Sequence, residues 1–213
     1  MDNLIDYLTE HNYTPALFFK FSRKKCEEIC KTVRKNLLNF EEISLVENTF
    51  DHYMKDYKKT YEILPQYQDV LKQVKKGVVY HHSGLIPILK EIIEILYGKG
   101  LIKVLFATET FAIGVNMPTK TVLFTELEKF DNNGLRELRS DEYSQMSGRA
   151  GRRGLDKFGS VIILPTFELP QEHVFKNILT GKSPSLKSKF ELSYQFVLKT
   201  LYANNFNVEN FLS

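Results

Sequence analysis

Between residues 15 and 164 the chain repeats one pattern: a short, nearly continuous apolar run, then a stretch in which apolar residues return every three or four positions. The runs fall at residues 15–21, 78–81, 103–107, 120–125 and 161–164. A strand with one wet face alternates apolar and polar residues, whereas a run that is apolar throughout has to be covered on both sides. Strands of that kind separated by helical stretches predict an α/β fold, a parallel sheet covered by helices on both faces. In such folds the chemistry is expected in the loops at the carboxyl ends of the strands.

The intervening stretches read as helices. Ser22 is placed to cap a helix predicted over residues 23–38, whose stripe is Cys26, Ile29, Cys30, Val33 and Leu37. Residues 39–76 carry a looser pattern interrupted by Pro65 and read as one or two further helices. Leu85, Leu89, Ile92, Ile93 and Leu96 write a stripe that stops at Gly98 and Gly100. Ser140 or Asp141 starts a helix leading into residues 145–154, and residues 175–179 read as helix as well. Cys26 and Cys30, the two cysteines of the chain, are expected to pack as small reduced hydrophobes. Joining them to His81 and His82 in a zinc site would need a C-x3-C spacing within one helix, which is not the usual knuckle.

The densest chemical signal is Gln145-Met146-Ser147-Gly148-Arg149-Ala150-Gly151-Arg152-Arg153-Gly154. Two arginines three apart at a helix end are expected to point to one side. Their planar, permanently charged forks match phosphate oxygens bidentately, which makes the segment a reader of a triphosphate. Gly148, Gly151 and Gly154 let a ligand or another domain approach.

That decapeptide resembles motif VI of the superfamily-two helicases, and its G-R-A-G-R-R-G core is similar to the DExH-box RNA helicases of the superkiller and exosome-associated group. Residues 105–118, L-F-A-T-E-T-F-A-I-G-V-N-M-P, resemble that group's motif V. Residues 80–87, Y-H-H-S-G-L-I-P, resemble its H-H-x-G-L block, and residues 18–28, F-F-K-F-S-R-K-K-C-E-E, its motif IV. All four occur in the family's order. The resemblance implies a second RecA-like lobe over residues 1–184 and the incomplete beginning of a winged-helix domain over 185–213, as in a piece of a larger helicase.

It also implies roles. Arg149 and Arg152 would address the γ-phosphate of ATP, with Gln145 helping to orient the site. Gly114 and Asn116 would approach the nucleotide sugar, Asn116 standing where many relatives carry aspartate. Thr108 would meet a backbone phosphate of RNA, with Ser22, Arg23, Ser83 and Gly84 as further contacts. Residues 126–139, with Asn133-Gly134 as a turn signal, would form a hairpin whose Phe130 and Leu135 separate strands. Mg2+ and most of the ATP would be held by a first lobe, because a phosphate loop G-x-x-x-x-G-K-[ST] is missing here. Gly181-Lys182-Ser183 has Lys176 where the first glycine belongs, and Asp141-Glu142-Tyr143-Ser144 has Ser144 where a D-E-x-H box needs histidine, so that tetrad is expected to initiate a helix. The implied partners are RNA, the first lobe and exosome-type decay machinery, and the implied activity is 3′–5′ unwinding. The residues themselves leave open a non-enzymatic binding module or a lobe of a DNA-translocating relative, since phosphate contacts do not distinguish RNA from DNA.

Bulk composition adds little. Twenty-nine basic against 26 acidic residues leave a net charge of +3, which permits an anionic partner without demanding one. No apolar run approaches the ~20 residues of a membrane span, and the N-terminus lacks a basic stretch followed by an apolar one. The expectation is an intracellular protein, nuclear or cytoplasmic, and not secreted.

Overall fold

A computed structural model describes residues 1–111, 119–131, 134–164 and 169–181. They belong to one compact unit, Met1–Ser183. The winged-helix segment expected from residue 185 lies outside the described residues, as do Gly114 and Asn116.

The apolar runs form a parallel sheet. Its strands are β1 (Ala16–Phe19), β2 (Val78–His81), β3 (Val104–Ala107), β4 (Thr121–Phe124) and β7 (Ser160–Ile163), in the order β2-β3-β1-β4-β7. Every residue of β1 to β4 is buried. Side chains alternate between the two faces of a strand, so burial of all of them means that both faces are covered, as the sequence predicts. Aromatic pairs cross the strands: Phe18 and Phe106 lie 4.9 Å apart, Phe19 and Phe124 5.7 Å. A separate antiparallel hairpin, β5 (Glu128–Asp131) and β6 (Gly134–Glu137), stands apart from this sheet.

Among the described residues the helices are α1 (Asp2–Glu10), α2 (Arg23–Thr32), α3 (Phe40–Met54), α4 (Lys58–Tyr61), α5 (Pro65–Val74), α6 (Pro87–Gly98), α7 (Ser140–Ser147) and α8 (Glu172–Thr180). Three details differ from the sequence reading. The helix after Ser22 stops at Thr32 rather than at residue 38. Val33 turns extended, and the chain continues as a strap with Leu37 N bonded to Lys76 O, so the apolar stripe outlasts the helix because Val33 and Leu38 of the strap are buried while residues 34–36 are exposed. Residues 39–76 hold three helices, and Pro65 opens α5 at its first turn, where a fixed φ and a missing N–H cost nothing. The third detail is α1, whose Ile5 and Leu8 are fully buried and which the sequence reading did not anticipate.

The strand order matters for function. The chain crosses from β1 over β3 to β2, then returns through β3 to β4 on the far side of β1. That reversal creates a topological switch point between β3 and β1, the place where open parallel sheets leave a crevice at their carboxyl ends.

Candidate functional site

Thr108 follows β3 and Ser22 follows β1, so the two flank the switch point. Thr108 is nearly buried, at 8% exposure. Its hydroxyl lies 3.1 Å from that of exposed Thr110. The Thr108 amide donates to His81 O at 3.3 Å, extending the pairing of β2 with β3. Ser22 caps α2 by accepting from Lys25 N at 3.4 Å, and Arg23 beside it is exposed.

The H-H-S-G segment is held by its second histidine. Gly84 N donates to His82 Nδ1 at 3.1 Å, and His82 Nε2 lies 3.1 Å from Glu27. An accepting Nδ1 requires the neutral ring with its proton on Nε2, and burial, the leading influence, pushes the His82 pKa down. A Cβ on Gly84 would stand 3.2 Å from that Nδ1 and 3.5 Å from Arg23 Cδ, so Gly84 and Arg23 are neighbours. The buried His81 places Nε2 3.0 Å from Glu94. Beside it a cavity of about 360 Å³ opens between Ser83, Lys90 and Thr110. Ser22, Arg23, Ser83, Gly84 and Thr108 therefore share one edge of the sheet. Cys26 and Cys30 lie buried on α2, and burial pushes the Cys26 thiol up to about 12.

The arginine segment was expected on a helical turn among the carboxyl-end loops, and both expectations are corrected. Helix α7 ends at Ser147, Gly148 caps it, and Gly151 takes φ +92, so Arg149 and Arg152 project from a loop. That loop is pinned to the amino end of β4: Thr119 N donates to Arg149 O (2.9 Å) and Gly151 N to Thr119 O (2.7 Å). Thr119 is fully buried and its hydroxyl bonds Pro15 O at 2.6 Å, just before β1. The eight residues of α7, about 12 Å at 1.5 Å per residue, return the chain to the opposite edge of the sheet. Gly159 completes the seat, because a Cβ there would lie 2.3 Å from the Ala150 carbonyl.

Within the loop Arg152 is already oriented. Its backbone N, Nε and Nη2 donate to the Asp156 carboxylate at 3.0, 2.8 and 3.0 Å. The Arg152 hydrogen bonds hold Asp156 down at about 2. Arg149 is half-buried, Gln145 is exposed on α7, and Arg153 is exposed with no ion pair among the described residues.

The hairpin forms as expected, with one shift. Asp131 pairs with Gly134, so its two connecting residues are 132 and 133, one earlier than Asn133-Gly134, and both lie outside the described residues. Gly134 instead opens β6 with φ +117. Phe130 faces Leu135 across the strands, 77% and 55% exposed, while Leu127 and Leu138 are buried at the base.

Residues 1–154 match the family model of the helicase conserved C-terminal domain. The chain belongs to that family. It is 47% identical over 214 residues to the DExH-box ATP-dependent RNA helicase DExH9 of Arabidopsis thaliana, covering 98% of this chain and 21% of that protein. Over 210 residues it is 44% identical to the exosome RNA helicase MTR4 of Homo sapiens and 41% to the antiviral helicase SKI2 of Saccharomyces cerevisiae, again across 98% of this chain but 20% and 16% of theirs. The domain thus spans about a fifth of the length of these curated relatives, and they are the superkiller and exosome-associated group to which the motifs pointed.

Sequence reasoning missed four residues that shape this helicase lobe. Asp156 stands four positions after Arg152, a spacing that could have suggested the pair. Thr110 and Lys90 border the cavity beside Ser83, and only the meeting of β2 and β3 brings them together. Glu142 was expected to start α7, which it does by accepting from Arg139 N at 2.9 Å, but it also takes Lys129 and Arg136 of the hairpin. Burial pushes this carboxyl up, yet the bonds from Arg136, the Arg139 amide and Lys129 outweigh it and hold it at about 2.

Proposed function

We propose that this helicase C-terminal domain is the second RecA-like lobe of an ATP-dependent RNA helicase that moves 3′ to 5′, its ATP and Mg2+ held mainly by a first lobe. The observation that supports this most is the division of labour across one rigid sheet. An arginine fixed by Asp156 lies at the amino edge, and hydroxyl and basic groups gather at the carboxyl edge. Arg149 and Arg152 gain charge-assisted bonds to the γ-phosphate only when the two lobes close, which gives ATP the differential affinity that a conformational switch requires. Gln145 orients that site, and Gly114 with Asn116 meets the nucleotide sugar.

At the other edge Thr108, Ser22, Arg23, Ser83 and Gly84 grip a single strand through its phosphates, joined by Thr110 and Lys90. Such contacts position a strand without reading its bases. The substrate is RNA, the class printed in the names of DExH9 and MTR4, and exosome-type decay machinery is the partner that the name of MTR4 suggests. The hairpin separates strands through Phe130 and Leu135. Residues 185–213 begin a winged-helix domain, and the protein works inside the cell, in nucleus or cytoplasm.

The test is to assay the chain alone and joined to a first lobe. Alone it should show no RNA-stimulated ATPase, because no phosphate loop binds the β-phosphate and metal, and joined to the first lobe it should gain that activity. Turnover by the isolated chain, surviving Lys182→Ala, would overturn the reading.

A further inference from the structure

On the inner face of the hairpin Lys129 and Arg136 stand directly opposite one another, a like-charge pair that by itself pushes two strands apart. Glu142 answers both. Its Oε1 accepts from Lys129 Nζ at 2.9 Å and from Arg136 Nη2 at 2.8 Å, and its Oε2 accepts from Arg136 Nη1 at 2.9 Å. The two bonds from Arg136 make a planar fork, the most directional form of ion pair. Lys129 is further paired with Glu109, the residue after Thr108, and Arg136 with Asp131 at 2.6 Å. With its side chain only 13% exposed, Glu142 holds these partners where salt screens them weakly.

A two-stranded hairpin is marginal on its own. This one turns Phe130 and Leu135 outward, so its placement rests on buried Leu127 and Leu138 and on this cluster. Glu142 sits in the first turn of α7, and the last turn of the same helix runs directly into the arginine loop.

We propose that Glu142 is a positioning residue that locks the hairpin to the arginine helix, so that closure of the arginine loop on nucleotide drives the hairpin against the duplex. The role deepens the reading of the hairpin as the strand-separating element and depends on it.

The experiment uses Glu142→Gln in a two-lobed motor that contains this chain. Glutamine keeps an acceptor for the Arg139 amide, so the helix start survives, but it removes the charge shared by Lys129 and Arg136. RNA-stimulated ATP hydrolysis should run near the parental rate, while base pairs separated per ATP fall on the order of tenfold, the scale of a typical coupling between sites. A merely structural glutamate would lower both in proportion, together with the thermal midpoint, so equal loss overturns the proposal, as does unchanged separation. Replacing residues 128–136 with a glycine-serine loop distinguishes the two levels. If that motor still separates strands, the hairpin reading itself falls. If it does not, while Glu142→Gln separates normally, only the coupling role falls. Should Glu142→Gln fail to fold, Arg136→Gln breaks the same anchor from the hairpin side and should show the same split.

Discussion

The two edges of the sheet hold their functional groups by different means. At the carboxyl edge Thr108 is nearly buried and fixed by strand pairing, and His82 steadies the Ser83-Gly84 turn through a neutral ring. At the amino edge the arginine loop joins the sheet, among the described residues, through an isolated bridge between Thr119 and Ala150. Arg152 is oriented instead by an acid in its own loop, and the loop by a glycine that lets two backbones touch. One edge depends on burial, the other on charge and close approach, so they should fail differently when perturbed.

Arg152→Ala gives the sharpest contrast. In a two-lobed motor it should slow ATP hydrolysis on the order of a thousandfold, roughly 4 kcal/mol of barrier, as loss of an arginine finger does. RNA affinity at fixed salt should be retained, and near-normal turnover would reassign this arginine to holding the loop. Gly159→Ala attacks the same edge through the backbone. A methyl 2.3 Å from the Ala150 carbonyl has to displace it, and overpacking of this kind costs about 3 kcal/mol at the upper end of its usual range. Urea unfolding should show the loss, and an unchanged midpoint would mean that the arginine loop moves without resistance.

Thr108→Val tests the other edge. It preserves shape and deletes one hydroxyl, so RNA binding should weaken by about 2 kcal/mol, roughly 30-fold, with basal ATPase unaltered. Unchanged affinity would pass the role to its partner Thr110. The smallest effect is expected from acid. Asp156 in the folded loop stays ionised below its ordinary value of 3.8, down to about 2. Its contribution to stability is therefore complete above about pH 4 and fades as the pH falls towards 2, where the folded carboxylate also protonates. The difference in urea midpoint between the parent and Asp156→Asn should shrink between pH 5 and pH 3. A constant difference would show that the pair is not felt in folding.

Strands β1 to β4 were legible because complete burial leaves a local run of apolar residues, and β7, only partly buried, carries a similar run. The arginine edge was not, because its seat joins Thr119, Ala150 and Gly159, which are distant in sequence and meet only through tertiary approach. No spacing rule announces that Gly159 must lack a side chain. The hairpin shows a third case: Asn133-Gly134 signals the turn, but the register, with Leu138 N bonded to Leu127 O at the base and Asp131 opposite Gly134, puts Gly134 in β6. His82 has both ring nitrogens partnered, Nε2 by Glu27 and Nδ1 by the Gly84 amide, while Nδ1 of His81 is buried without a hydrogen-bond partner.

The Arg152–Asp156 pair also bears on how quickly a motor of this kind can respond. An arginine free in solvent samples many rotamers, and stilling it costs about 2 kcal/mol at the moment it is used. Here the guanidinium is stilled when the chain folds, by an acid so close in sequence that the pair forms with the loop itself. If Arg152 addresses ATP as proposed, an arriving triphosphate would meet a side chain already at rest, and the wait for a productive rotamer would drop out of each stroke.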